Sequence, residues 1–309
     1  MVADGHGGVG AVAFHPNGEH FFSVTDEVIQ RWRVADGQEV AKQMGMLDLN
    51  TITVSRDGKW IVYAFDGGAG VWDAELKKKS FEVLVGSGIS STAEAVDISP
   101  ESTRFAAAAS RMFGEWSIWS ITTGERLVGP FDHRVIGIKF SPDGRRIAAA
   151  CEKSINIFDS YNGDQLIITK NLLAPQSWYP ITPILWPFDD RLFATSKGGK
   201  IKSFDTSTGA ELAEWAVHSH DKEDVMSIAM SANNSFIASS AGHSVSFWDT
   251  STHTQLGSPL EVIYKRRSSM ALSPDGTHLA TGGSDRTITI WNLSDILPES
   301  YLPIRVSTT

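Results

Sequence analysis

Short segments of alternating apolar and polar residues run the length of the chain, and no long stretch holds an apolar period near 3.6 residues. Val135–Phe140, Arg146–Cys151, Ile155–Phe158 and Gln165–Thr169 are four such segments in succession, rich in β-branched residues, and they predict four strands. Turn-forming tetrads punctuate the pattern. They read His15-Pro16-Asn17-Gly18, Ser55-Arg56-Asp57-Gly58, Ser99-Pro100-Glu101-Ser102, Ser141-Pro142-Asp143-Gly144 and Ser273-Pro274-Asp275-Gly276. Trp186-Pro187-Phe188-Asp189 and Ser231-Ala232-Asn233-Asn234 are degenerate copies. Proline presets the first corner, Asp or Asn bonds its own backbone, and glycine accepts positive φ. An aromatic residue then closes an alternating segment: Trp32, Trp72, Trp119, Phe158, Phe204, Trp248 and Trp291, at separations of 40, 47, 39, 46, 44 and 43 residues.

Two markers in fixed order, seven times over, define a repeat of four short strands. Such a unit cannot cover both of its faces alone, so the units must pack against one another. The expected fold is all-β: a seven-bladed β-propeller with four antiparallel strands per blade. It forms one domain over 1–309, with blades near 9–46, 49–88, 93–132, 135–174, 181–217, 224–263 and 267–309.

The seventh repeat, Ser273 to Asn292, carries the motif most clearly, and through it the whole chain resembles the WD-repeat family. That resemblance implies an Asp six residues before each Trp, present at Asp26, Asp66 and Asp285 but replaced by Phe113, Glu152, Gly198 and Gly242 elsewhere. It also implies a bracing network of His, Asp and Trp. The residues available for it are His6, Asp26, Trp32, Asp66, Trp72, Asp285 and Trp291, with Ser23 or Thr25 joining in the first blade. The repeats are divergent, so this network is expected to be incomplete in most blades. Family members often close the ring with an N-terminal strand. Here the few residues ahead of the first strand are glycine-rich, whereas Leu302, Ile304 and Val306 alternate with polar or proline positions. Residues Tyr301 to Ser307 are therefore expected to form the outer strand of blade seven, unless residues of a longer protein supply it.

Composition narrows the function. Of 309 residues 41% are hydrophobic and 20% charged, ordinary values for a globular chain. Lys and Arg total 27 against 36 Asp and Glu, a formal charge of −9 that disfavours general nucleic-acid binding. Cys151 is the only cysteine, which excludes an internal disulfide and points to a reducing, cytoplasmic setting. No apolar run approaches membrane-spanning length, and no secretory leader pattern opens the sequence.

Motifs with chemical potential have plainer readings. Gly5-His6-Gly7-Gly8-Val9-Gly10 lacks the preceding strand and following helix of a dinucleotide site. The His6, Ser23 and Asp26 grouping reads as structural rather than as a hydrolase triad, for no nucleophile elbow is visible. His218, His220, Asp221, Glu223 and Asp224 have metal-ligand types but read as a solvated loop. No cofactor, no metal and no catalytic residue is expected.

Recognition is expected on the loops at one end of the ring. The irregular insertion Arg111-Met112-Phe113, the long link bearing Trp178-Tyr179, the basic pair Arg266-Arg267, and Arg286 carry hot-spot residue types. The resemblance implies a non-enzymatic scaffold or sensor for a protein or peptide partner. Such arrays also occur at the C-terminus of larger signalling proteins, including fungal nucleotide-binding receptors. A glycan- or small-ligand-binding propeller, or an enzyme with a site in the central channel, are the alternatives.

Overall fold

The structure is a computed structural model that describes residues 2–4, 8–25, 27–44, 49–86, 93–109, 114–170, 172, 184–217, 225, 227–262, 268–283 and 285–302. It contains seven four-stranded antiparallel sheets, arranged as a β-propeller. Six sheets are contiguous, within 11–44, 49–84, 93–132, 137–168, 184–216 and 227–261, and in each the strands pair in chain order. Blade four shows the fit to the alternating pattern: Gly137–Phe140, Arg146–Ala150, Ile155–Asp159 and Gln165–Ile168. The first strands of successive blades touch all the way round, blade seven against blade one included.

Burial follows the distance from the axis. The second strand of blade three, Arg104–Ala109, is buried at every position, whereas the outer strand Glu39–Met44 alternates exposed and half-buried residues. Each core cluster is shared by two neighbouring blades. Val62 and Val71 of blade two meet Phe105 and Trp119 of blade three, and Trp116 meets Phe140 and Phe158 of blade four. Phe21 and Trp32 of blade one meet Ala280 and Ile288 of blade seven. Rings stack inside these layers, Phe105 on Trp119 at 5.5 Å and Trp116 on Phe131 at 4.4 Å between centroids. Each buried aromatic or aliphatic side chain contributes roughly 1.5–3 kcal/mol.

Ring closure differs from the sequence expectation. The outer strand of blade seven is Val2–Asp4, antiparallel to Thr287–Asn292 in the register Val2↔Thr289, Ala3↔Ile288 and Asp4↔Thr287. The chain end thus crosses the seam, and Val9 N–H donating to Gly283 O (3.0 Å) reinforces it. The expected tail strand gives way because Tyr301 and Leu302 have better partners. Tyr301 lies in the 3-10 turn Glu299–Tyr301, and its hydroxyl donates to Asp249 Oδ2 at 2.6 Å. Its ring stands edge-on to Phe236, and Leu297 and Leu302 join the core of blade six. Residues 303–309 lie outside the described residues.

Blade five departs too. Trp186, Pro187 and Phe188 belong to the strand Ile184–Phe188 rather than to a turn, and the turn shrinks to Asp189 and Asp190. Proline fits there because a first strand has one edge without a ladder partner.

Burial alone would raise the Asp249 pKa, but donation from the Tyr301 hydroxyl and the Thr252 and Ser251 amides outweighs it and holds the carboxyl at about 2. A carboxyl depressed from its unfolded value of about 3.9 contributes stability that is complete above that value and lost as pH falls through the folded one. Tyr301→Phe is therefore expected to lower Tm by roughly 2–4 °C at neutral pH, from about 1 kcal/mol of lost hydrogen bonding. Thermal unfolding across pH checks this: the gap between wild type and variant should shrink toward pH 2.

Candidate functional site

Antiparallel connectivity sorts the loops between two ends. One end carries the turns between second and third strands together with the links between blades. The other carries the turns between first and second and between third and outer strands. At the first end a ring of exposed turn residues projects: Glu27, Asp66, Glu152 with Lys153, Lys197, His243, and Asp285 with Arg286. His133 and Arg134 are exposed in the link into blade four. Acidic residues occupy this rim in blades one and two, and cations predominate from blade four onward. Asn50 ties the rim across blades, its amide donating to Asp66 Oδ1 (3.4 Å) and Ala93 O (3.1 Å).

Arg286 is the one expected recognition residue that the structure describes. It holds φ at 70°, in the left-handed region, with its N–H on Gly283 O (3.3 Å). The preceding Asp285 carboxylate accepts from the Thr287 amide (3.1 Å) and hydroxyl (2.7 Å), which fixes the turn. Arg111, Met112, Phe113, Trp178, Tyr179, Arg266 and Arg267 lie outside the described residues, as do His6, Asp26 and the His218 to Asp224 segment.

The bracing network is described in part. Trp32 Nε1 donates to Ser23 Oγ (2.8 Å), Trp248 Nε1 to Ser239 Oγ (3.1 Å) and Trp291 Nε1 to Thr281 Oγ1 (2.9 Å). Blades four and five carry Phe158 and Phe204 at the closing position and so have no indole N–H there. In blade two the hydroxyl position holds Tyr63, which donates to Glu82 Oε1 (2.8 Å), and Trp72 Nε1 beside it is buried without a well-aligned acceptor. Burial, then the Glu82 bond, pushes the Tyr63 phenol well above its ordinary range.

The perturbed acids have structural causes. Asp205 is held low by the hydroxyls and amides of Ser207 and Thr208 in its own turn. Burial pushes the Cys151 thiol up to about 11, which leaves it unreactive at neutral pH. No group of three or more His, Cys, Asp or Glu that could hold a metal occurs among the described residues. No described helix is long and apolar enough to cross a membrane.

Sequence reading missed one set of residues: those that open the second strands, namely His20, Trp60, Arg104, Arg146, Arg191, Phe236 and His278. Two of them clamp the next blade at the turn-bearing end. Arg104 donates to Gly144 O (2.8 Å) and Ser160 O (2.8 Å), pairs with Glu101 (2.7 Å), and lies over the Tyr161 ring at 4.0 Å. Arg146 repeats this on Asp189 O (2.6 Å) and Thr206 O (3.0 Å), over Trp186. Reading the repeats as aligned columns would have exposed this position.

Known proteins agree with this architecture. A family model described as WD domain, G-beta repeat, matches residues 1–33, 125–159, 212–249 and 263–292. With seven four-stranded blades in a ring, the chain is a WD-repeat β-propeller with divergent repeats. It is 26% identical over 294 residues to apoptotic protease-activating factor 1 of Rattus norvegicus, covering 93% of this chain and 22% of that protein. It is 27% identical over 206 residues to autophagy-related protein 16 of Arabidopsis thaliana, covering 60% of this chain and 38% of that one. It is 26% identical to the anaphase-promoting complex subunit cdh1 of Dictyostelium discoideum, covering 54% and 26%. The chain therefore spans well under half the length of these relatives.

Arg104→Met keeps the volume but strips a charged donor from two carbonyls. Such a loss is expected to cost roughly 2–3 kcal/mol. Urea unfolding should show the midpoint falling without a change in slope.

Proposed function

We propose that this chain is a non-enzymatic platform that presents its link-bearing end to a protein or peptide partner in the cytoplasm. The observation that carries this reading is the exposed ring of mixed-charge turn residues, with Arg286 locked in a left-handed conformation that an arginine adopts only at a cost of about 1–2 kcal/mol. WD-repeat propellers typically serve as interaction scaffolds, which supports the same reading. Arg111, Met112, Phe113, Trp178, Tyr179, Arg266 and Arg267 extend the contact surface in this proposal, as residue types that anchor interfaces. The equivalent turn positions Glu27, Asp66, Lys153, Lys197 and His243 carry no Phe, Tyr or Trp, which weighs against repeated sugar-stacking pockets.

The test is a quantitative capture experiment with three chains. Arg286→Gly relieves backbone strain, so its Tm should stay level or rise, yet partner capture should fall at least about tenfold, the signature of a hot-spot side chain. Phe113→Ala combined with Trp178→Ala and Tyr179→Ala should abolish capture. Undiminished capture of the same partners by both variants would place recognition elsewhere.

A further inference from the structure

At the end opposite the link-bearing loops, the seam between blade seven and blade one lacks the arginine clamp that the seams of blades three–four and four–five carry. Equivalent positions follow from one repeated bond, in which the amide two residues past each aromatic marker donates back to the carbonyl preceding the strand-opening residue. Ser160 N–H bonds Arg145 O, Thr206 N–H bonds Asp190 O, and Val34 N–H bonds Glu19 O. Gly144, Asp189 and Gly18 are therefore the same position, and so are Ser160, Thr206 and Val34. In the seams of blades three–four and four–five, these two carbonyls receive the guanidinium of Arg104 and Arg146 respectively.

At the seam of blades seven and one, the strand-opening residue is His278, and its Nδ1 partner is Thr277 Oγ1 (2.7 Å), on its own turn. Among the described residues no hydrogen bond ends on the Gly18 or Val34 carbonyl. Valine also lacks the hydroxyl by which Ser160 bonds Gly144 O (2.6 Å). What lies there is a cavity of about 620 Å³ whose lining includes Gly18, Val34, Ala35, His278 and Ile290. Val34, Ala35 and Ile290 offer an apolar wall suited to an aliphatic stem. Glu19 supplies negative charge, and Arg33, itself in the lining, is already paired with Asp36 (2.6 Å). Burial, then Arg31, disfavours protonation of His20, so Arg33 is the one fixed cation among the described lining residues.

We propose that this seam cavity binds the guanidinium side chain of an arginine from a partner protein, the group that the seams of blades three–four and four–five supply from their own chain. Guanidinium fits because its planar fork reaches two carbonyls at once, which an ammonium does not. The site is independent of the loop-end platform, and its test does not involve those loops.

The experiment measures binding of a labelled acetyl-Gly-Arg-Gly-amide to the full chain, beside its neutral isostere with citrulline and beside free phosphate. Wild type should bind the arginine peptide at millimolar concentration or better, and the citrulline peptide at least about tenfold more weakly, since charged hydrogen bonds are roughly twice as strong as neutral ones. His278→Arg should fill the cavity from within, raising Tm by about 3–6 °C and abolishing peptide binding. Ala35→Trp, at an exposed rim position, should block binding without loss of folding and serves if His278→Arg does not fold. Equal binding of the arginine peptide by wild type and Ala35→Trp, no binding by wild type, or preference for phosphate lost in Arg33→Ala would each overturn the proposal.

Discussion

A four-stranded sheet of this size has two apolar faces and can cover neither by itself. Everything else in the molecule follows from that constraint. Val62 and Val71 have nothing to bury against except Phe105 and Trp119 of the next blade, and Phe21 and Trp32 need Ala280 and Ile288 of the last. A row of blades would leave two such faces in water, so the row must become a ring. The strand Val2–Asp4, laid on the last blade by the chain that begins the first, ties the two ends covalently. With the faces committed to packing, only the two ends and the outer edges remain for recognition.

Packing tolerates substitutions that a polar network does not, and the divergence of these repeats shows the difference. Phe158 and Phe204 replace tryptophan and simply dispense with the indole bond. Tyr63 replaces the small hydroxyl residue of blade two and is accommodated by Gly70, where a Cβ would stand 2.2 Å from the tyrosine ring. Polar cross-links between blades are drawn from wherever the local sequence offers them. His15 Nε2 reaches Gly58 O (3.0 Å), Arg31 pairs with Glu75 (2.7 Å), and Lys139 pairs with buried Asp97 (2.6 Å). The seams are therefore chemically individual although their shapes repeat, which is what gives the seam beside His278 a character of its own.

Much of the fold was legible because its signals are local. Ser-Pro-Asp-Gly turns and closing aromatics mark where chains reverse, and the strands of blade four fall within one or two residues of the alternating pattern. Trp116, three residues before the closing Trp119 on the same strand, is fully buried. What misled was competition between distant partners. The alternation of Leu302, Ile304 and Val306 is compatible with a strand, but sequence does not show that Asp249 stands ready to accept from Tyr301. Pro187 resembled a turn residue because its innermost-strand position, where an amide donor is dispensable, is a tertiary fact. The arginine clamps escaped notice for the same reason: Arg104 and Arg146 look like surface cations until the next blade's carbonyls are placed beside them.

Ring closure by the N-terminal strand is the claim on which the account rests most heavily, and a crosslink tests it most directly. Val2→Cys and Thr289→Cys, introduced together with Cys151→Ser, place two thiols at partnered positions on adjacent strands. Under mild oxidation the pair should form an intramolecular disulfide in nearly every molecule and raise Tm, whereas Val2→Cys with a cysteine at exposed Leu84 on blade two should not. Failure of the first pair to close, with both thiols still reactive in the folded chain, would contradict closure by Val2–Asp4.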